Sequence, residues 1–132
     1  MKRDWDLIRK ILIGLEEHEE WLEPYVDEEV WALEDSPELE RYCHHVNLLI
    51  EAGLIVGVRD QLYSSNDGYI EEWTHRPVRL TWSGHEFLDS IRDDGLWRKI
   101  KATSVEKGAA LSFEIVKELG LSMIRATAGL AS

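Results

Sequence analysis

Between Pro37 and Asp93 the spacing of apolar residues changes from three-and-four to every second residue and back again, and this double switch narrows the folds open to the chain. Leu39, Tyr42, Cys43, Val46, Leu49 and Ile50 recur at the interval of one buried helical face. Glu40, Arg41, His44, Asn47 and Glu51 occupy the opposite face. Ser36 followed by Pro37 is an N-cap with proline at the first helical position, and Gly53 stands where a left-handed C-cap is wanted. A helix over 37–52 therefore has a readable start and stop.

After the break Glu51-Ala52-Gly53-Leu54-Ile55, Leu54, Val56 and Val58 alternate with other residues, as do Val78, Leu80 and Trp82. The pattern predicts two strands, each with one inner face. Ser64-Ser65-Asn66-Asp67-Gly68 between them has strong turn chemistry, so the strands form a hairpin whose wing is a loop from Asp60 to Pro77. Thr81 or Ser83 can cap the next helix, Ser83 with Glu86 fitting a capping box, and Phe87, Leu88 and Ile91 would pack that helix on the core. The expected class is mainly α with a small β-hairpin (α+β). Its architecture is a winged helix-turn-helix core over 1–93 with a C-terminal helical extension over 94–132.

Upstream, Trp5, Ile8, Ile11, Leu12 and Leu15 form a helical stripe from Asp4, a plausible cap, to about His18. Gly14 inside it costs about 1 kcal/mol relative to alanine, which calls for close packing or a local bend. From Glu16 to Glu40 there are then twelve acidic residues and no lysine or arginine, with Trp21, Tyr25 and Trp31 embedded among them. Asp27 can cap a short helix through Leu33. One reading is a solvated acidic face whose aromatics sit in the core. The other is a partner-binding patch of Trp21, Tyr25, Glu28, Glu29 and Trp31, because aromatic anchors ringed by charge are the usual makeup of an interface hot spot.

Downstream, Leu96, Trp97, Ile100 and Val105 predict a helix with Arg98, Lys99, Lys101 and Lys107 on its wet side. Ser112 starts a last helix containing Phe113, Val116, Leu119, Met123 and Ile124, which Gly120 would end or kink. Ile115, Leu121 and Ala126 make it apolar over more than one face. That suits packing on the first helix or a homodimer through residues 112–131.

Several of these stretches carry a resemblance: Met1-Lys2-Arg3-Asp4, Asp6-Leu7-Ile8-Arg9-Lys10-Ile11-Leu12, Glu51-Ala52-Gly53-Leu54-Ile55, Leu80-Thr81-Trp82-Ser83-Gly84-His85-Glu86-Phe87-Leu88-Asp89 and Ile91-Arg92-Asp93-Asp94. They resemble an uncharacterised family of small bacterial and phage proteins, a domain of unknown function common in prophages and other mobile elements. The resemblance implies a phage-type cytoplasmic protein with a winged-helix core, and it supplies no catalytic residues. Residues Glu20 to Glu40 follow the family less clearly.

Composition limits the functions. The chain of 132 residues has one cysteine, so no internal disulfide, and no apolar run of membrane length; the cytoplasm is the expected compartment, with no membrane partner. A winged helix invites DNA binding through the helix from Pro37 and the wing, with Arg41, His44, His45, Asn47, Arg76 and Arg79 as the contacts. Charge opposes this. Residues 1–92 hold nine Lys or Arg against twenty-one Asp or Glu, a net of −12, while residues 93–132 hold six against five, a net of +1. Duplex DNA demands clustered cations. The expectation that fits better is a protein-binding module docking a basic partner, including a DNA-mimicking inhibitor of a host nucleic-acid enzyme, with DNA-binding regulation as the alternative. No enzyme, metal or cofactor is expected. Cys43-His44-His45 are consecutive helical residues pointing about 100° apart, so Cys43 reads as a core residue and the histidines as surface or boundary groups. His85-Glu86 lacks a second histidine at position 89, Asp93 and Asp94 read as capping or solvated groups, and no phosphate-binding glycine loop occurs.

Overall fold

The computed structural model describes residues 2–18, 29, 36–63, 70–106, 111–127 and 129. Among them are five helices and one two-stranded antiparallel sheet, the mainly α, α+β class expected. In chain order these are α1 (Trp5–Glu17), α2 (Pro37–Glu51), β1 (Ile55–Tyr63), β2 (Ile70–Leu80), α3 (Trp82–Ile91), α4 (Asp94–Glu106) and α5 (Phe113–Thr127). They fall into two compact units, residues 1–85 and 86–132, divided after the first turn of α3. The helix expected from Asp27 lies outside the described residues, apart from Glu29, which is helical and exposed.

In the first unit α1 packs on α2 and β2, and α2 packs on both strands. The stripe Ile8, Ile11, Leu12 and Leu15 is buried, as are Leu39, Tyr42, Cys43, Val46 and Leu49 of α2. Asp4 caps α1 by accepting the Asp6 and Leu7 N–H groups at 3.0 and 3.2 Å. Ser36 caps α2 by accepting the Leu39 N–H at 3.1 Å, with Pro37 after it. The end of α2 is a full Schellman turn. Gly53 takes φ 74°, its N–H donates to the Ile50 carbonyl, and the Leu54 N–H donates to the Leu49 carbonyl.

That turn corrects the expected strand pattern. Leu54 belongs to the helix stop, so strand parity starts from Ile55, which is buried opposite Leu80. Val56 is half-buried and Val58 is exposed. A shift in register between Val56 and Gly57 leaves Val78 as the extra residue beside Pro77, and such a bulge accommodates a proline that cannot donate to the ladder. The strands are also longer than expected. Asp60 to Tyr63 and Ile70 to Pro77 pair in the sheet, so most of the stretch assigned to a wing loop is ladder.

Trp82 is a second correction. It is the first residue of α3 and not the last of a strand, because Thr81 supplies the cap: its Oγ1 accepts the Gly84 N–H at 3.0 Å. Ser83 lies inside the helix, so the expected Ser83–Glu86 capping box is replaced by the Thr81 cap.

The second unit comprises the rest of α3 with α4 and α5. Phe87, Leu88, Ile91, Trp97, Ile100 and Val116 are buried, and Phe87 stacks on Phe113 at 4.6 Å between ring centroids. Asp93 caps α4 through the Leu96 N–H at 2.8 Å, and Ser112 caps α5 through the Ile115 N–H at 3.2 Å. Arg98 and Lys99 lie on the wet side, while Lys101 sits over the Trp97 ring. Val105, expected on the packed side, is 81% exposed. Gly120 neither ends nor kinks α5, which continues to Thr127; a Cβ there would run into the Ser90 carbonyl, so the glycine is a close-packing point.

Candidate macromolecular interface

Helix α2 is where a nucleic-acid reader of this order would present its contacts, and its local chemistry decides what it can touch. Pro37, Glu38, Glu40, Arg41 and Glu51 are exposed, and His44, Asn47 and Ile50 are half-buried. The structure draws two of the candidate contacts away from the surface role and onto the start of α1.

Asp4 is the meeting point. Its Oδ1 caps α1, while its Oδ2 takes an ion pair from the Arg41 guanidinium. The Asp4 backbone N–H would be held in a capping box by an acidic or amide side chain at the third helical position, but Leu7 stands there and cannot accept. His45 supplies the acceptor from the neighbouring helix. Its Nε2 accepts the Asp4 N–H at 2.8 Å, and its Nδ1 donates to the Arg41 carbonyl at 2.7 Å. Those two partners are a fixed donor and a fixed acceptor, so they select the neutral ring with its proton on Nδ1.

His45 is fully buried, a correction to its expected place as a surface or boundary group. Burial is the main force on its titration and lowers its pKa below 6.5, while the hydrogen bond to the Arg41 carbonyl opposes that shift. A proton on Nε2 would leave the Asp4 N–H facing a second donor. The ring is therefore a structural tie between α1 and α2.

The other candidates are scattered. His44 is edge-on to His45, with ring centroids 5.6 Å apart. Arg76 is half-buried opposite Val58, whereas Arg79 is exposed and donates Nη1 to the Leu80 carbonyl at 3.2 Å. Trp21, Tyr25, Glu28 and Trp31 lie outside the described residues, and Glu29 is exposed. Cys43 is buried, as its place on the apolar stripe implied. Among the described residues no group of three or more His, Cys, Asp or Glu side chains could hold a metal ion, and no helix is long and apolar enough to cross a membrane. Trp82 was missed by sequence reasoning; reading Thr81 alone as the cap would have placed it at a helix start.

Residues 2–110 match the family model described as "Hypothetical protein (DUF2513)". The chain belongs to the DUF2513 family. Within this DUF2513 chain the matched stretch takes in nearly all of the first unit and ends before α5. An "Uncharacterized protein" of Haemophilus influenzae (strain ATCC 51907 / DSM 11121 / KW20 / Rd) is 36% identical over 124 residues, which cover 94% of the DUF2513 chain and 96% of the relative. No solved structure matches it.

Proposed function

We propose that this DUF2513 protein is a non-enzymatic, cytoplasmic winged-helix module of phage type that docks a basic protein partner through its acidic surface. A partner of that charge would be a host nucleic-acid enzyme, whose groove an acidic surface can occupy in place of DNA. The observation that carries the proposal is the condition of α2. Its one arginine is ion-paired to Asp4 and His45 is buried, while Glu38, Glu40 and Glu51 stay exposed. A helix in that state repels phosphate, and backbone neutralisation supplies most non-specific DNA affinity. The aromatic and acidic residues Trp21, Tyr25, Glu28, Glu29 and Trp31 would supply the docking surface.

A mobility shift with random duplex DNA at low salt tests it, alongside competition with DNA for a basic DNA-binding enzyme. The expected outcome is no DNA complex at any salt and displacement of DNA that weakens as salt rises. A DNA complex with a steep salt dependence, abolished by Arg41→Glu with Arg79→Glu, would replace the proposal with a DNA-binding regulator.

A further inference from the structure

Helix α5 has one face committed to its own unit and another that is not. Phe113 stacks on Phe87, Val116 is fully buried, and Gly120 lies against the Ser90 carbonyl, so these three mark the inner face. Ile115, Leu119, Ser122 and Ala126 follow one another at intervals of four, three and four residues. That spacing puts them on a common stripe, about a third of a turn round the helix from the inner face. Leu119 is half-buried, and the other three are exposed, Ile115 among the most exposed large apolar side chains of the described residues.

The order of residues along the stripe selects what fits it. Two large side chains are followed by two small ones, so a copy of the same helix laid antiparallel sets Ile115 opposite Ala126 and Leu119 opposite Ser122, large against small in every layer. A parallel copy would set each residue against itself, leaving one end wide and the other narrow. Charge makes the same selection. Glu118 and Arg125 are both exposed and stand one residue before Leu119 and Ala126, on the same flank of the stripe. In an antiparallel pair the Glu118 of each copy meets the Arg125 of the other, and the two-fold axis repeats the ion pair. A parallel pair does not bring them together.

The wider charge distribution also permits a self-contact here. Residues 1–85 hold eight Lys or Arg against nineteen Asp or Glu, a net of −11, so copies approaching through them repel. Residues 86–132 hold seven of each. We propose that α5 is a homodimer contact, packed two-fold and antiparallel on α5 of a second copy, with Glu118 and Arg125 fixing its direction. A 15-residue helix is only about 22 Å long, so the dimer is a weak one that forms at high micromolar concentration. This inference goes beyond the interaction-module reading and does not depend on it.

The test is sedimentation equilibrium of the full chain at low salt over a range of concentrations, for the wild type, Glu118→Arg, Arg125→Glu and an equal mixture of the two variants. Both positions are exposed, so the far-UV circular dichroism of each variant should match the wild type. Each variant alone sets like charges against each other twice and is expected to dimerise about tenfold more weakly. Their mixture restores two opposite-charge pairs and should recover the wild-type association as a heterodimer. A wild type that stays monomeric throughout overturns the contact and leaves the acidic module standing. So does a dimer that neither variant weakens, or a mixture no tighter than its components. If Ile115→Glu abolishes displacement of DNA from a basic enzyme while the wild type sediments as a monomer, the stripe belongs to that partner and the proposal falls.

Discussion

The middle and the far end of α2 each fasten another helix by its start, and they do it with opposite chemistry. From its middle, α2 sends His45 to the backbone of Asp4, and the tie is buried and titratable. At its far end it receives Thr81, whose hydroxyl bridges the Gly53 carbonyl and the Gly84 N–H in a half-exposed, non-titrating tie. The first arrangement closes a core, burying His45 and pairing the exposed Arg41 with Asp4. The second holds the solvent-exposed start of α3. Polar ties at helix ends can therefore serve a core or a surface, and burial distinguishes them more than bond geometry does.

The sharpest way to break this contrast is His45→Ala, which leaves the Asp4 N–H and the Arg41 carbonyl without the ring and opens a cavity. It should cost about 2–4 kcal/mol of unfolding free energy, read by urea denaturation at neutral pH. The same residue sets a pH dependence. Because burial lowers its pKa, the unfolded chain binds more protons; the contribution is complete above about pH 6.5 and is lost as pH falls from there through the folded value. Stability curves of the wild type and His45→Ala should converge on acidification. Parallel curves would show that the ring titrates alike folded and unfolded.

A smaller effect is expected at the far end of α2. Thr81→Val removes the cap and the bridge but keeps the side-chain shape, costing about 1–2 kcal/mol, with no difference from wild type in pH slope between pH 5 and 8. A loss below a few tenths of that would mean that water replaces the hydroxyl and that the bridge does not hold the start of α3. The smallest effect belongs to Arg41→Ala. Its ion pair with Asp4 is about half exposed on the arginine side, so solvent screening limits it to below about 1 kcal/mol, declining with added salt. A larger, salt-independent loss would make Arg41 part of the buried tie.

Much of this could be read along the chain because it depends on neighbours a few residues apart. Asp4, Ser36 with Pro37, Asp93 and Ser112 cap the helices that follow them, and Gly53 takes the positive φ that ends α2. Trp82 was harder, since period-two alternation from Val78 and a cap at Thr81 compete over the same residues, and only the bonds to Gly53 and Leu54 decide for the cap. Val58 failed for a related reason, as a bulge resets which face a strand residue occupies.

By itself the sequence determined the helix faces, their caps, the hairpin and the concentration of negative charge in the first unit. Only the tertiary structure decided that His45 is a core residue, that Arg41 is occupied and that Trp82 starts a helix instead of ending a strand. His45 sits at the edge of the α2 stripe, one turn from both Arg41 and Leu49, where periodicity permits either burial or exposure. What settles it is a backbone N–H 41 residues away in need of an acceptor. A local pattern can state how a residue is oriented on its own element, but a polar side chain is buried only where a distant partner satisfies it.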